Sequence, residues 1–317
     1  MIDFIEFESL IDLLDRFNTD QVCFDYLAQL RWGDKPVCPH CNNSERIYQF
    51  KDGRNYKCSS CRKKFTVKVG TVFEGSNISL RKWFAAIYLF TSHKKGISSV
   101  QLSKDIKVTQ KTAWYMLHRL RYAMEHPDYK KPLDGTIEAD ETYVGGKEKN
   151  RHLSKRNFNK AQGSIGRSGD DKTVVFGAVQ REGDVKGFVV DNAKKESLQP
   201  IIIKNVKEFS RVITDEWYAY NQLHELGFNH STIKHSIKKY VEGDVHTNTI
   251  ENFWSCLKRG LYGIYHWASK KHLQRYIEEF CYRYNHRHLS EAHRFGLLLK
   301  QSDNGKLPYA TLIKKGG

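Results

Sequence analysis

The chain has 317 residues, with 52 Lys and Arg against 36 Asp and Glu, a formal charge of +16 and a pI near 9.4. That is long enough for one sizeable core plus smaller modules, and the basic excess suits a polyanion, because phosphate neutralisation supplies most non-specific DNA affinity. A soluble basic enzyme or a ribosome-associated protein is the plainer reading. The sequence contains no apolar run long enough to span a bilayer, and Met1 to Glu6 lack a basic n-region and a long apolar stretch, so neither a membrane span nor secretion is expected. A cytoplasmic, nucleoid-associated bacterial protein is expected. Seven cysteines, four of them in CxxC pairs, indicate metal ligation in a reducing compartment, not a disulfide scaffold.

Residues 8–31 carry two short amphipathic helices. Leu10, Leu13, Leu14 and Phe17 share one face, and Thr19 caps the second helix, on which Cys23 is a packing residue. Cys38-Pro39-His40-Cys41 and Cys58-Ser59-Ser60-Cys61 follow, 16 residues apart. Two such turns can close a tetrahedral thiolate site, so Cys38, Cys41, Cys58 and Cys61 are expected to hold structural zinc, with His40 a bystander. A redox CxxC explains only one of the pairs. Strands at 47–50 and 55–57 flank Asp52-Gly53, a hairpin signal. So small a module buries little core, and the metal would supply much of its folding energy.

Ser79 caps a helix with Leu80, Trp83, Phe84, Ile87 and Tyr88. Ser98 with Gln101 makes a capping-box pattern ahead of Val100, Leu102 and Ile106, which are expected to pack inward. After a turn at Lys107-Val108, Thr109 caps a longer helix with Ala113, Met116, Leu117 and Leu120 inside. Gln110, Lys111, Tyr115, His118, Arg119 and Arg121 are placed on its outer side. The pattern resembles a helix-turn-helix with residues 109–123 in the major groove, and makes Lys111, Tyr115, His118 and Arg119 candidate DNA contacts. A plain helical bundle linker competes.

From 136 the pattern becomes β. In 136–146, Ile137, Ala139 and Glu141 alternate with Glu138, Asp140 and Thr142, which puts Asp140 and Glu141 on opposite faces. Strands at 172–179 and 187–190, a helix over 194–206, a strand at 211–215, a further helix and a strand at 229–233 follow. That order describes a ribonuclease-H-like mixed five-stranded sheet with helices. Asp140 then lies on the first strand and Asp215 at the end of the fourth, its neighbour. Glu251 follows after 35 residues on a helix whose buried stripe is Ile250, Phe253, Trp254, Leu257 and Leu261. Lys258 lies two turns beyond Glu251 on the same flank, and Asn248 one turn before it.

Three converging carboxylates suit phosphoryl transfer. Two Mg²⁺ or Mn²⁺ ions about 4 Å apart can activate a nucleophile and relieve charge on the leaving oxygen, and carboxylates are the hard ligands that hold them. Lys258 would meet a phosphate, and Asn248 would ligate or orient water. Glu138, Glu141 and Glu216 are read as acids outside the set, with Glu216 capping the next helix; His246 lies near the site or serves as a surface or capping residue. Residues 145–172 form a long polar segment with eight Lys or Arg. Such loops are usually functional or disordered, and Lys147, Lys149, Arg151, Lys155 and Arg156 are candidate DNA contacts. Lys234 to Tyr240 is a second basic run. Ser269 caps a helix through Leu273, Tyr276, Ile277, Phe280 and Tyr284 that covers the sheet.

The organisation expected is an N-terminal helical segment (1–34), a zinc ribbon (35–72), a helical helix-turn-helix-like DNA-binding region (78–126), an α/β catalytic domain (134–290) with the basic insertion 145–172, and a C-terminal tail (291–317), loosely held from Asn304.

Nearly the whole chain resembles the ISXO2-like transposases, the IS1595 family of bacterial insertion sequences. The likeness begins at Tyr26 to Trp32 running into the first CxxC and continues through Phe65-Thr66-Val67 and Gly70 to Phe73. It is strongest at Glu138 to Gly146, Thr214-Asp215 and His246 to Trp254. Tyr265-His266, Lys271 to Tyr276, Phe280, Arg283, Asn285 and Arg287 match the family's C-terminal pattern. The resemblance implies a DDE-type transposase that binds terminal inverted repeats and performs metal-dependent 3′-end cleavage and strand transfer. It maps the triad to Asp140, Asp215 and Glu251, with Lys258 accessory. Family members carry asparagine as well as glutamate at the third place, which keeps Asn248 in view. Double-stranded DNA is the expected partner, both element ends and target, with a homodimer or larger assembly on it. A structure-specific nuclease of the same fold and a non-catalytic, transposase-derived DNA-binding regulator are the alternatives.

Overall fold

Hydroxyl caps set where the helices of the first unit begin. In the computed structural model, which describes residues 4–125, 131–146, 172–233 and 245–314, α1 (Leu10–Arg16), α2 (Asp20–Trp32), α3 (Leu80–Ser92), α4 (Ser99–Asp105) and α5 (Gln110–Ala123) each follow a Ser or Thr. The hydroxyls of Ser9, Thr19, Ser79, Ser98 and Thr109 accept from a backbone N–H three residues on, satisfying one of the orphan donors of each first turn. The three-stranded ribbon β1 (Ile47–Gln49), β2 (Asn55–Cys58) and β3 (Lys64–Thr66) is antiparallel throughout. Its small core is Tyr56 stacked on Phe65 at 5.5 Å, with Trp32 edge-on at 5.3 Å from Tyr56.

The chain divides into two compact units, Met1–Pro127 with His286–Gly317, and Asp128–Asn285. The expected C-terminal tail is therefore part of the first unit. After the last helix of the second unit come α9 (Glu291–Gln301) and α10 (Tyr309–Ile313). Phe295 packs 5.5 Å from Phe84 and 5.4 Å from Phe7, and the Tyr88 hydroxyl donates to Glu291 at 2.7 Å. Leu307 and Leu312 are buried, and Asn304 donates to the Glu125 carbonyl. The stretch from Asn304 to Lys314 is thus held in place, largely against α5: the Tyr115 hydroxyl donates to the Leu307 carbonyl at 2.8 Å, and the Tyr115 ring lies 5.3 Å from Tyr309.

Two further expectations for this unit are corrected. Val100 is 52% exposed and does not pack inward. On α5 the side read as outer is largely closed: His118, Arg119 and Arg121 are buried. The Arg119 guanidinium donates to the Val72 carbonyl at 2.8 Å and to the Tyr115 hydroxyl at 2.7 Å, and Arg121 lies over the Phe90 ring. Long guanidinium stems pack as apolar bodies while their heads find carbonyls, a behaviour that a helical wheel misses.

The second unit is built on a mixed five-stranded sheet in the order β6-β5-β4-β7-β8. Its strands are β4 (Thr136–Val144), β5 (Thr173–Gln180), β6 (Val185–Val190), β7 (Arg211–Thr214) and β8 (Asn229–Thr232). The first three are antiparallel, and β4–β7–β8 are parallel. One face buries Ile137, Ala139, Phe176 and Val212 under α6 (Lys195–Asn205) with Leu198 and Ile202. The other buries Val144, Val175 and Val179 under α7 (Asn248–Gly260) and α8 (Lys270–Asn285). The helix expected between β7 and β8 is instead a 3₁₀ turn, Tyr218–Tyr220, followed by turns. Glu216 accordingly caps no helix: the Trp217 N–H donates to Asp215 Oδ1 at 3.0 Å.

The free edge of β6 is closed by amide side chains of α8. The Val189 N–H donates to Gln274, which donates back to the Gly187 carbonyl, and Asn285 makes the same exchange with Val185. An edge strand otherwise offers unpaired backbone groups to other chains. Gly187 admits the close approach, since a Cβ there would lie 2.5 Å from Ile277.

Candidate active site

Strand pairing brings the first two acids together. Glu138 lies opposite Ile213 in the parallel β4–β7 pair, and the same register carried two residues on sets Asp140 level with Asp215. Asp140 ends up on the α7-facing side of β4, as strand alternation requires. The Trp254 indole N–H donates to Asp140 Oδ2 at 3.0 Å. Trp254 gets that close because residue 177, opposite Asp140, is glycine; a Cβ there would stand 2.5 Å from the indole ring. Sequence reading placed Trp254 in the buried stripe of α7 and missed this contact, since nothing in a stripe of apolar residues marks the direction of one N–H.

Glu251 sits in the first turn of α7, exposed, with its carboxylate accepting from the Thr247 hydroxyl at 3.3 Å. Burial pushes the Asp140 carboxyl up to about 6, and the charges of Asp215 and Glu251 push the same way. Asp215 and Glu251 are thus near enough to Asp140 for their charges to act on its carboxyl. Glu141 points to the opposite face, as expected, toward the Tyr220 hydroxyl, yet burial raises it to about 8, with Asp140 and Asp215 adding to the shift. Clustered carboxylates that raise one another's proton affinity are a donor set a divalent cation would relieve. They do not close into a group as tight as the cysteines described below. Lys258, half-buried, and Asn248, exposed at the start of the helix, lie on α7 as the sequence places them.

Glu138, read as an acid outside the set, is engaged with the start of α7. It is fully buried on the same face as Asp140. Its carboxylate accepts from the backbone N–H groups of Thr249 and Ile250 at 2.8 and 3.1 Å, and from the Thr249 hydroxyl at 2.9 Å. Arg181 pairs with it at 2.8 Å, and His246 Nδ1 lies 3.3 Å away. The signal was available in the alternation, because a carboxylate two residues before Asp140 must share its face.

In the first unit the four cysteines form a second candidate centre. Their sulfurs all lie within 4.8 Å of one another, with Cys38 to Cys61 and Cys41 to Cys58 both 3.6 Å. A tetrahedron with Zn–S bonds of about 2.3 Å has edges of about 3.8 Å, so the arrangement fits zinc. Each knuckle turns through a residue with positive φ just after its second cysteine, Asn42 (56°) and Arg62 (59°).

Of the candidate DNA contacts, Lys111 is exposed, with its ammonium over the Tyr309 ring, and half-buried Tyr115 donates to the Leu307 carbonyl. His118 and Arg119 are buried. Lys147, Lys149, Arg151, Lys155 and Arg156, and the run Lys234 to Tyr240, lie outside the described residues. No helix among the described residues is long and apolar enough to cross a membrane.

Two family domains match the chain. The ISXO2-like transposase domain matches residues 132–285, and a transposase zinc-ribbon domain matches residues 18–64. The chain belongs to the ISXO2-like transposases. It is 31% identical over 273 residues to an uncharacterized protein in transposable element ISH50 of Halobacterium salinarum, covering 84% of this chain and 91% of that one. It is also 35% identical over 119 residues to an uncharacterized transposase-like protein of Haemophilus influenzae, covering 38% of this chain and 93% of that one. No solved structure matches it.

Proposed function

We propose that the chain is a DDE-type DNA transposase that binds the terminal inverted repeats of an insertion sequence and catalyses 3′-end cleavage and strand transfer. The observation that carries the reading is the convergence of Asp140, Asp215 and Glu251, from a central strand, its parallel neighbour and the first turn of a covering helix. The strand order, three antiparallel then two parallel, supports a ribonuclease-H-like assignment for the second unit.

The three carboxylates would supply hard oxygen ligands to Mg²⁺ or Mn²⁺. Such ions, when bound, favour attack on a phosphodiester and offset charge on the leaving oxygen. The remaining work belongs to side chains. Trp254 fixes one oxygen of Asp140. Lys258, two turns past Glu251, would pair with a phosphate oxygen, and Asn248 would orient water at the mouth of the site. The cysteines would hold structural zinc.

DNA binding fits the charge of +16. In the first unit the exposed start of α5, with Gln110 and Lys111, is the part of the helix-turn-helix able to reach bases. Lys147, Lys149, Arg151, Lys155 and Arg156 would track the backbone. Two element ends must be paired, so a dimer or larger assembly on DNA is expected.

The test pairs the zinc-loaded protein with DNA bearing the flanking element end, in Mg²⁺ or Mn²⁺. Nicked and joined products, lost in Asp140→Ala, Asp215→Ala and Glu251→Ala with end binding retained, support the triad. Loss in Asn248→Ala but not in Glu251→Ala would move the third ligand. Cleavage without joining would indicate a nuclease, and binding without any product a DNA-binding regulator.

A further inference from the structure

We infer that Glu138 is a positioning residue for the catalytic site: its carboxylate, not a local cap, sets the start of α7 and therefore the place of Glu251 relative to Asp140. The inference rests on the reading of Asp140, Asp215 and Glu251 as metal ligands.

Helix α7 begins without a side-chain cap of its own. Thr247 occupies the cap position but makes no capping bond, and its hydroxyl goes to Glu251. Orphan N–H groups at a helix start must still be satisfied when buried. Those of Thr249 and Ile250 are taken by Glu138, more than 100 residues earlier in the chain. A local Ser or Asp would fix the first turn wherever the helix lay. A cap supplied by β4 fixes it only when helix and strand are in one relative position.

The strand that supplies this cap also carries Asp140 two residues on, and the helix it caps carries Glu251 one and two residues on. Trp254 Nε1 to Asp140 Oδ2 is the second tie between the same two elements. Two ties at successive turns of α7 leave it little freedom to slide or rotate on β4. The placement of the two acids is then set by hydrogen bonds with direction, whereas packing of Ile250, Phe253 and Leu257 alone is only weakly directional.

The charge of Glu138 has a reason of the same kind. In the middle strand of a sheet, facing α7, an apolar side chain would pack at least as well, because buried ion pairs often add little stability over hydrophobes. The buried carboxylate instead aligns favourably with the positive end of the helix. It is held by Arg181, whose guanidinium also donates to the His246 carbonyl at 3.0 Å. That contact ties the segment leading into α7 to the end of β5.

The experiment measures Mn²⁺ binding to the zinc-loaded full chain by calorimetry, alongside the Mn²⁺ dependence of end cleavage. Asp215→Asn identifies which binding belongs to the triad. Glu138→Gln keeps the shape and one acceptor, and Glu138→Met keeps a packed core. Partners that orient metal ligands typically contribute about 10–100-fold in metal affinity or activity. Both variants are expected to lose about that much in Mn²⁺ affinity at the triad and in cleavage at subsaturating Mn²⁺, with Glu138→Met melting no lower than Glu138→Gln. Wild-type affinity and cleavage in both folded variants would overturn the inference, as would a loss that merely follows the unfolded fraction. The unmodified protein reports separately on the underlying reading: if it shows no Mn²⁺ binding that Asp215→Asn removes, the triad assignment fails before any Glu138 variant is considered.

Discussion

Glu141 keeps a proton that an exposed glutamate would have lost. Its folded carboxyl titrates at about 8 against an ordinary 4.5, pushed up by burial first and then by Asp140 and Asp215. The folded state therefore holds an extra proton between those values, and stability from this source is full below about 4.5 and lost as pH rises through about 8. Thermal melts of the zinc-loaded protein without added Mg²⁺ should give a midpoint that falls across that window. Glu141→Gln should flatten the fall; an unchanged slope would show that the proton resides elsewhere. Gly177 is the second residue whose identity matters. An added methyl must displace the Trp254 ring, so Gly177→Ala should cost about 1–3 kcal/mol in urea unfolding and weaken the bond to Asp140. A variant as stable and as active as the parent would contradict the close approach.

At the scale of elements, edge strand β6 depends on two amides. Gln274 and Asn285 satisfy both donors and acceptors of Val185 and part of the edge at Gly187 and Val189. Removing either partner of a buried hydrogen bond strands the other, at about 1–3 kcal/mol. Asn285→Ala should therefore lower stability by that order and raise concentration-dependent aggregation through the exposed edge. Light scattering and denaturant titration read the two effects separately. The α4–α5 pair, read from sequence as a helix-turn-helix, carries a narrower expectation than its sequence suggested. With His118 and Arg119 inside, Lys111→Ala should weaken DNA binding and lower its salt slope by about one, whereas Arg119→Ala should act on folding.

At the scale of the molecule, the chain returns to where it started. Helices α9 and α10 complete the core of the N-terminal unit, with Phe295 against Phe7, Phe17 and Phe84. Truncation after Asn285 should therefore leave the N-terminal unit unable to fold cooperatively, while the sheet unit retains its own core. Limited proteolysis of the truncated protein would show it, and a protease-resistant N-terminal fragment would refute it. Zinc removal acts on a different part: chelation should unprotect the amides of β1 to β3, because so few buried side chains hold them.

The sequence by itself determined what periodicity and spacing can carry. Two CxxC turns, hydroxyl caps, alternating strands and three acids at strand, strand end and helix were all legible, because each follows from local geometry that repeats every two or 3.6 residues. The tertiary structure decided what depends on direction across distant segments. Burial of the Arg119 head requires knowing that Val72 offers a carbonyl. The docking of α9 requires the aromatic residues Phe7, Phe17 and Phe84 that receive Phe295. The cap that Glu138 places on α7 joins residues more than 100 apart, and local patterns hold no information about which distant N–H a carboxylate will meet.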